Sequence, residues 1–116
     1  MDDCTIRALT KVTGKTWDEC SRDLWQESLN VCDMQNSRRT WNSLMNKMGF
    51  TRRVLNDPHY TLLDFAKYHP HGTFVLGDDY PGGHVVALID GDWYDTSDSG
   101  MMVPEKVWRK DNGALQ

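Results

Sequence analysis

Two residues carry the strongest chemical suggestion in this chain, Cys4 and His84. Cys4 follows Asp2 and Asp3, either of which can cap a helix, and opens a stretch where Ile6, Leu9 and Val12 recur at helical spacing up to Gly14. A thiol in the first turn of a helix meets unpaired backbone N–H groups and the positive end of the dipole, and both favour the thiolate. An ordinary thiol, with a pKa of about 8.5, is little ionised at neutral pH, so a nucleophilic role also needs a neighbouring base. His84 is the candidate. It follows Gly82-Gly83, whose missing side chains admit a substrate or a second backbone, and it begins the most hydrophobic run, His84-Val85-Val86-Ala87-Leu88-Ile89.

A histidine base is held in one tautomer by an acid, and the hairpin after His84 supplies it. Asp90-Gly91 is a strong two-residue turn signal leading into Trp93-Tyr94-Asp95-Thr96. With that turn, position 89 pairs with 92, Asp95 lies opposite Val86 and His84 opposite Ser97. Alternation then puts His84, Val86 and Leu88 on one face with Trp93, Asp95 and Ser97, and Asp95 lies diagonally from the imidazole at about 7 Å between backbones. A three-residue loop, Asp90-Gly91-Asp92, would instead set Asp98 opposite His84 and turn Asp95 to the other face. The two-residue register, with Asp95 as the orienting acid, is the one expected.

The rest of the chain must position these groups. Thr16-Trp17-Asp18-Glu19 is a capping box for a second helix to about Leu29, expected to bury Trp17, Cys20 and Leu24. After the polar run Asp33 to Asn36, Ser37 starts a third helix, with Trp41, Leu44, Met45 and Met48 on one face and Gly49 as its stop. Trp17, Trp25 and Trp41 are expected in the core. Phe50 to Leu55 reads as a strand, Asn56 to Tyr60 as a turn, and Thr61 caps a brief helix through Leu62, Phe65 and Ala66. Thr73 to Leu76 is a further strand, followed by turn chemistry from Gly77 to Gly83; the run from His84 is apolar on both faces, as a central strand is. Helices first and an antiparallel sheet after them make an α+β domain over 1–110, with a polar, frayed tail over 111–116.

In this arrangement the chain resembles small papain-like cysteine peptidase-like proteins of bacteria and bacteriophages. The residues that carry the resemblance are Asp3-Cys4-Thr5-Ile6-Arg7-Ala8-Leu9, then Gly83-His84-Val85-Val86-Ala87, then Asp90-Gly91-Asp92-Trp93-Tyr94-Asp95-Thr96, in the order Cys, His, Asp. It implies a papain-like fold, N-terminal helices packed on a small antiparallel sheet, with Cys4, His84 and Asp95 as catalytic residues. Papain-like enzymes commonly place a Gln several residues ahead of the nucleophile as oxyanion donor, and Met1, Asp2 and Asp3 include none. That task falls to the Cys4 N–H, to a side chain such as Gln35, Asn36 or Asn42, or to a residue ahead of Met1 if the chain begins later than its relatives do. Gly83, Trp93 and Asn36 are the expected substrate-binding residues, with Trp93 as an aromatic wall.

Composition limits the alternatives. A chain of 116 residues is one domain, long enough to bury roughly two-thirds of its unfolded surface. Hydrophobic residues at 39% and charged residues at 26% match a globular domain, and no apolar run approaches the ~20 residues of a membrane span. A net charge of -4 argues against nucleic acid as a partner. The pairs Arg38-Arg39 and Arg52-Arg53 read as solvated faces that could contact an anionic ligand. Three cysteines, Cys4, Cys20 and Cys32, form neither a disulfide framework nor a zinc motif, and the first residues lack a secretory pattern, so a reducing cytoplasm is expected. Cys20 and Cys32 are expected in or near the core. His69-Pro70-His71 reads as a solvent-facing loop; no metal and no cofactor are expected. The expected activity is thiol-dependent hydrolysis of an amide or isopeptide bond in a protein or peptide, a host protein being one candidate substrate. A non-catalytic binding or effector protein that sequesters a host protein or nucleotide is the alternative, and a domain whose cysteine is buried and inert is the plainest one.

Overall fold

A computed structural model describes residues 3–34, 37–77, 84–94 and 100–110. Among the described residues four helices and five strands follow in the order α1 (Asp3–Thr13), α2 (Trp17–Val31), α3 (Arg38–Lys47), β1 (Phe50–Val54), α4 (Leu62–Tyr68), β2 (Thr73–Gly77), β3 (Val85–Ile89), β4 (Asp92–Tyr94) and β5 (Lys106–Lys110). The helix starts are set by local side-chain chemistry. Thr16 and Glu19 form a reciprocal capping box, with Glu19 N donating to Thr16 Oγ1 at 3.2 Å and Thr16 N to Glu19 Oε1 at 3.0 Å. Thr61 and Asp64 do the same at α4, and Ser37 Oγ accepts from Thr40 N at the start of α3. The α+β class follows as expected, and among the described residues no helix is long and apolar enough to cross a membrane.

The sheet is antiparallel throughout, in the order β1-β5-β2-β3-β4. Its two faces bury separate cores. Val75, Val85, Ala87, Trp108 and Phe50 face α1, α2 and α3, where they meet Cys4, Ile6, Leu9, Leu24, Trp41 and Met45. Phe74, Leu76, Val86, Leu88 and Val107 face the other way, onto Leu62, Phe65 and Ala66 of α4. The alternation of period two along β2, β3 and β5 therefore separates two helical layers.

Three expectations change. The stripe that α2 buries is Cys20, Leu24, Glu27 and Ser28, while Trp17 and Trp25 are 43% and 52% exposed. Trp17 is the first residue of its helix, where a side chain leans back past the end of the element, and Trp25 is rotated about 100° from Leu24. Of the three tryptophans assigned to the core on helical spacing, Trp41 alone lies there. Cys32 is also exposed. It takes a left-handed conformation (φ 58°) that closes α2, so its side chain leaves the helix's buried stripe.

The third change is β5, which was not anticipated as a strand although it lies between β1 and β2. Trp108 at its centre is among the most deeply buried residues, packs edge-on to Trp41 with ring centroids 5.6 Å apart, and donates from Nε1 to Asn42 Oδ1 at 3.0 Å.

Candidate functional site

Cys4 sits in the first turn of α1, and α1 lies across β3 and β2. Its position on the apolar stripe with Ile6, Ala8 and Leu9 turns it inward, leaving 5% of its surface exposed. It belongs to the same buried cluster as Val85 and Ala87 of β3. His84, half-buried, immediately precedes Val85. The turn that carries the thiol and the end of the strand that follows the imidazole therefore contribute to one core. The remaining cysteines are differently placed. Cys20 is fully buried, 3.7 Å from Thr13 Oγ1, and burial pushes its thiol pKa up; Cys32 is exposed.

Gly77 fixes the backbone on the other side of His84. It pairs with Val85, and a β-carbon added to it would overlap the His84 carbonyl oxygen and stand 2.8 Å from Val85 Cα. Only a residue with no side chain lets β3 enter the sheet at this point. The composition from Gly77 onward predicts the start of a turn, but Gly77 is the last residue of β2.

The hairpin after β3 has the expected two-residue turn. Ile89 pairs with Asp92, Leu88 with Trp93 and Ala87 with Tyr94, and both turn residues have positive φ, 51° at Asp90 and 86° at Gly91. Asp90 is tied further to the start of β2, its Oδ1 accepting from Gly72 N at 3.0 Å. Trp93, opposite Leu88, packs against the α4-side cluster, on the sheet face opposite Cys4. Tyr94, opposite Ala87, is the aromatic residue of this hairpin on the Cys4 side, with Lys11 Nζ of α1 5.1 Å from its ring centroid. The signal for Tyr94 lies in the register alone: residues 93 and 94 must face opposite ways, so with Trp93 on the α4 side Tyr94 is on the other.

Asp95, Gly83, Asn36, Gln35, Ser97 and Asp98 lie outside the described residues. Asn42, one of the candidate oxyanion donors, holds Trp108 through its Oδ1 and so ties α3 to β5. Among the described residues no three His, Cys, Asp or Glu side chains cluster as metal ligands would, and His69 is engaged as the cap of α4, its Nδ1 3.1 Å from the Phe65 carbonyl oxygen. Comparison with protein-family models, curated proteins and solved structures finds no match for this chain.

Proposed function

We propose that the protein is a papain-like thiol hydrolase, a cysteine peptidase, amidase or isopeptidase, acting in the cytoplasm on a protein or peptide. Cys4 attacks the carbonyl carbon as thiolate, and His84 takes the thiol proton and delivers it to the leaving amine. Asp95 holds the imidazole tautomer, and water then releases the acyl group from sulfur. The reading is supported chiefly by one observation: Cys4, in the first turn of α1, shares a buried cluster with Val85, the residue next to His84. Helix start and strand start must meet for any Cys–His pair to form here.

A second reading, a non-catalytic binding protein on the same scaffold, is favoured by the 5% exposure of Cys4, since a thiol so buried also packs well as a small hydrophobe. The two separate on the pH dependence of Cys4 alkylation. Because Cys32 is exposed and would react on its own account, the measurement belongs in a Cys20→Ala, Cys32→Ser background. A hydrolase gives an iodoacetamide rate at Cys4 whose midpoint lies well below the ordinary ~8.5 and moves upward in His84→Ala. A rate that rises only above pH ~8.5 and is indifferent to His84→Ala removes the hydrolase reading and leaves the binding protein.

A further inference from the structure

On the sheet face away from Cys4, α4 covers β2 and β3 but stops short of β1, and the uncovered corner is a pocket of about 310 Å³. Its walls are unusually aromatic for a surface site. Phe74 rises from β2, Phe65 and His69 come from α4 and its cap, and Tyr60 from the preceding turn. Phe65 meets Phe74 edge-on at 5.1 Å and Tyr60 edge-on at 6.2 Å, while the His69 imidazole stacks on Phe65 at 4.0 Å. Phe74 and Tyr60 are both perpendicular to Phe65, so a planar ring seated in the pocket would meet aromatic faces and edges on its walls.

The rim of the same pocket is cationic. Arg53 of β1 and Arg109 of β5 both line it. In the β1–β5 register Arg53 stands opposite Val107 and Arg109 opposite Thr51, so the two guanidiniums lie diagonally on one face, about 7 Å apart at the backbone. Neither makes a salt bridge among the described residues, in a chain whose net charge is -4. Two neighbouring guanidiniums without a carboxylate repel each other and are matched by a doubly charged anion that both can donate to. His69 adds a third polar group: a carbonyl only accepts, so the contact to Phe65 O is made by Nδ1–H, which leaves Nε2 as an acceptor for a ligand's N–H or O–H.

We propose that this pocket binds a small molecule made of one planar aromatic ring and one phosphate group, the ring among Tyr60, Phe65 and Phe74 and the phosphate on Arg53 and Arg109. A phosphate monoester carries about -1.5 to -2 at neutral pH, the charge that two arginines neutralise. The volume is at the low end of ligand pockets, room for one ring system and its charged group and no more. The site does not depend on the reading of Cys4, which lies on the opposite face.

The same chemistry is found in a nucleoside monophosphate and in an aryl phosphate, and titration of the full chain with each, followed by the aromatic and backbone NMR resonances of Tyr60, Phe65 and His69, distinguishes the two by which binds more tightly. Inorganic phosphate serves as the ringless control. At least one of adenosine monophosphate and phenyl phosphate is expected to bind about tenfold or more tighter than inorganic phosphate. Arg53→Gln and Arg109→Gln, both at exposed positions whose loss leaves the fold intact, are each expected to weaken that binding about tenfold. Tyr60→Leu is expected to erase the advantage over inorganic phosphate without changing the affinity for phosphate itself. Absence of shifts up to about 10 mM, equal affinity for the ringed and ringless anions, or unchanged affinity in either arginine variant overturns the proposal.

Discussion

Gly77 and His84 approach so closely across the β2–β3 pairing that no side chain fits at residue 77: a β-carbon there would overlap the His84 carbonyl oxygen. The backbone of the proposed base is thus held by a glycine on the neighbouring strand. Gly77→Ala must push the start of β3 away, against Val85 in the Cys4 cluster. We expect it to cost about 1–3 kcal/mol in chemical denaturation, as overpacking does, and to change the Cys4 alkylation rate at neutral pH. Unchanged stability together with an unchanged rate would mean that the strand start yields freely and positions nothing.

The Leu88–Trp93 pairing bears on the orienting acid. The two-residue turn is the register under which Asp95, not Asp98, was expected to serve His84. The face of β3 that carries Val86 and Leu88 packs on α4, however, while Val85 and Ala87 belong to the buried cluster that holds Cys4. A working triad therefore requires the His84 side chain to leave the alternation of the strand, which its place one residue ahead of Val85 permits, and requires the acid that serves it to reach the Cys4 face as well. Asp95→Asn is expected to slow capture of Cys4 by a peptidyl electrophile about a hundredfold or more, with Asp98→Asn near wild type. The reverse pattern would assign the role to Asp98, and wild-type capture in both would remove the acid from the mechanism.

What the sequence made legible was local. The capping residues Thr16, Ser37 and Thr61 and the Asp90-Gly91 turn act within a few residues of themselves, so their geometry follows from residue type alone. Burial of Trp17 and Trp25 does not, because which side of α2 meets α1 and α3 is decided by residues far along the chain. The same holds for Trp93 and Tyr94: pairing fixes that they face apart, but only the seating of α1 decides which of them shares a face with Cys4. Strand β5 gave almost no periodic signal, since Val107 and Trp108 face opposite cores and are flanked by Lys106, Arg109 and Lys110. Its centrality is a property of the assembled sheet.

Trp41 offers a test of how tightly the Cys4-side core is specified. Its ring is buried, and among the described residues its indole N–H has no hydrogen-bond partner. An unmet buried donor costs about 1–3 kcal/mol, against a smaller ring's loss of packing on Trp108. Trp41→Phe is therefore expected to change unfolding free energy by less than about 1.5 kcal/mol, well short of the about 3–5 expected of Trp41→Ala. A Phe variant as damaging as the Ala variant would show that the indole N–H is satisfied.

Glu27 couples α2 to α3, and its ionisation should set the acid limit of the helical layer. Although only 3% exposed, its carboxylate accepts from the hydroxyl of Ser43, from Lys47 Nζ at 2.9 Å and from Asn30 Nδ2 at 3.1 Å. The Ser43 hydrogen bond, and after it the Lys47 ammonium, hold its pKa below the ordinary 4.5, with burial opposing them. A carboxylate whose folded-state pKa is depressed contributes stability that is complete above its unfolded value. That contribution is lost as pH falls through the folded one. Unfolding free energy should therefore decline below pH 4.5, and Glu27→Gln should remove part of that decline while lowering stability at pH 7 by about 1 kcal/mol or more. Lys47, being largely exposed, accounts for the smaller share, so Ser43→Ala is expected to cost more at pH 7 than Lys47→Met. Equal acid sensitivity in wild type and Glu27→Gln would place the titrating group elsewhere in the fold.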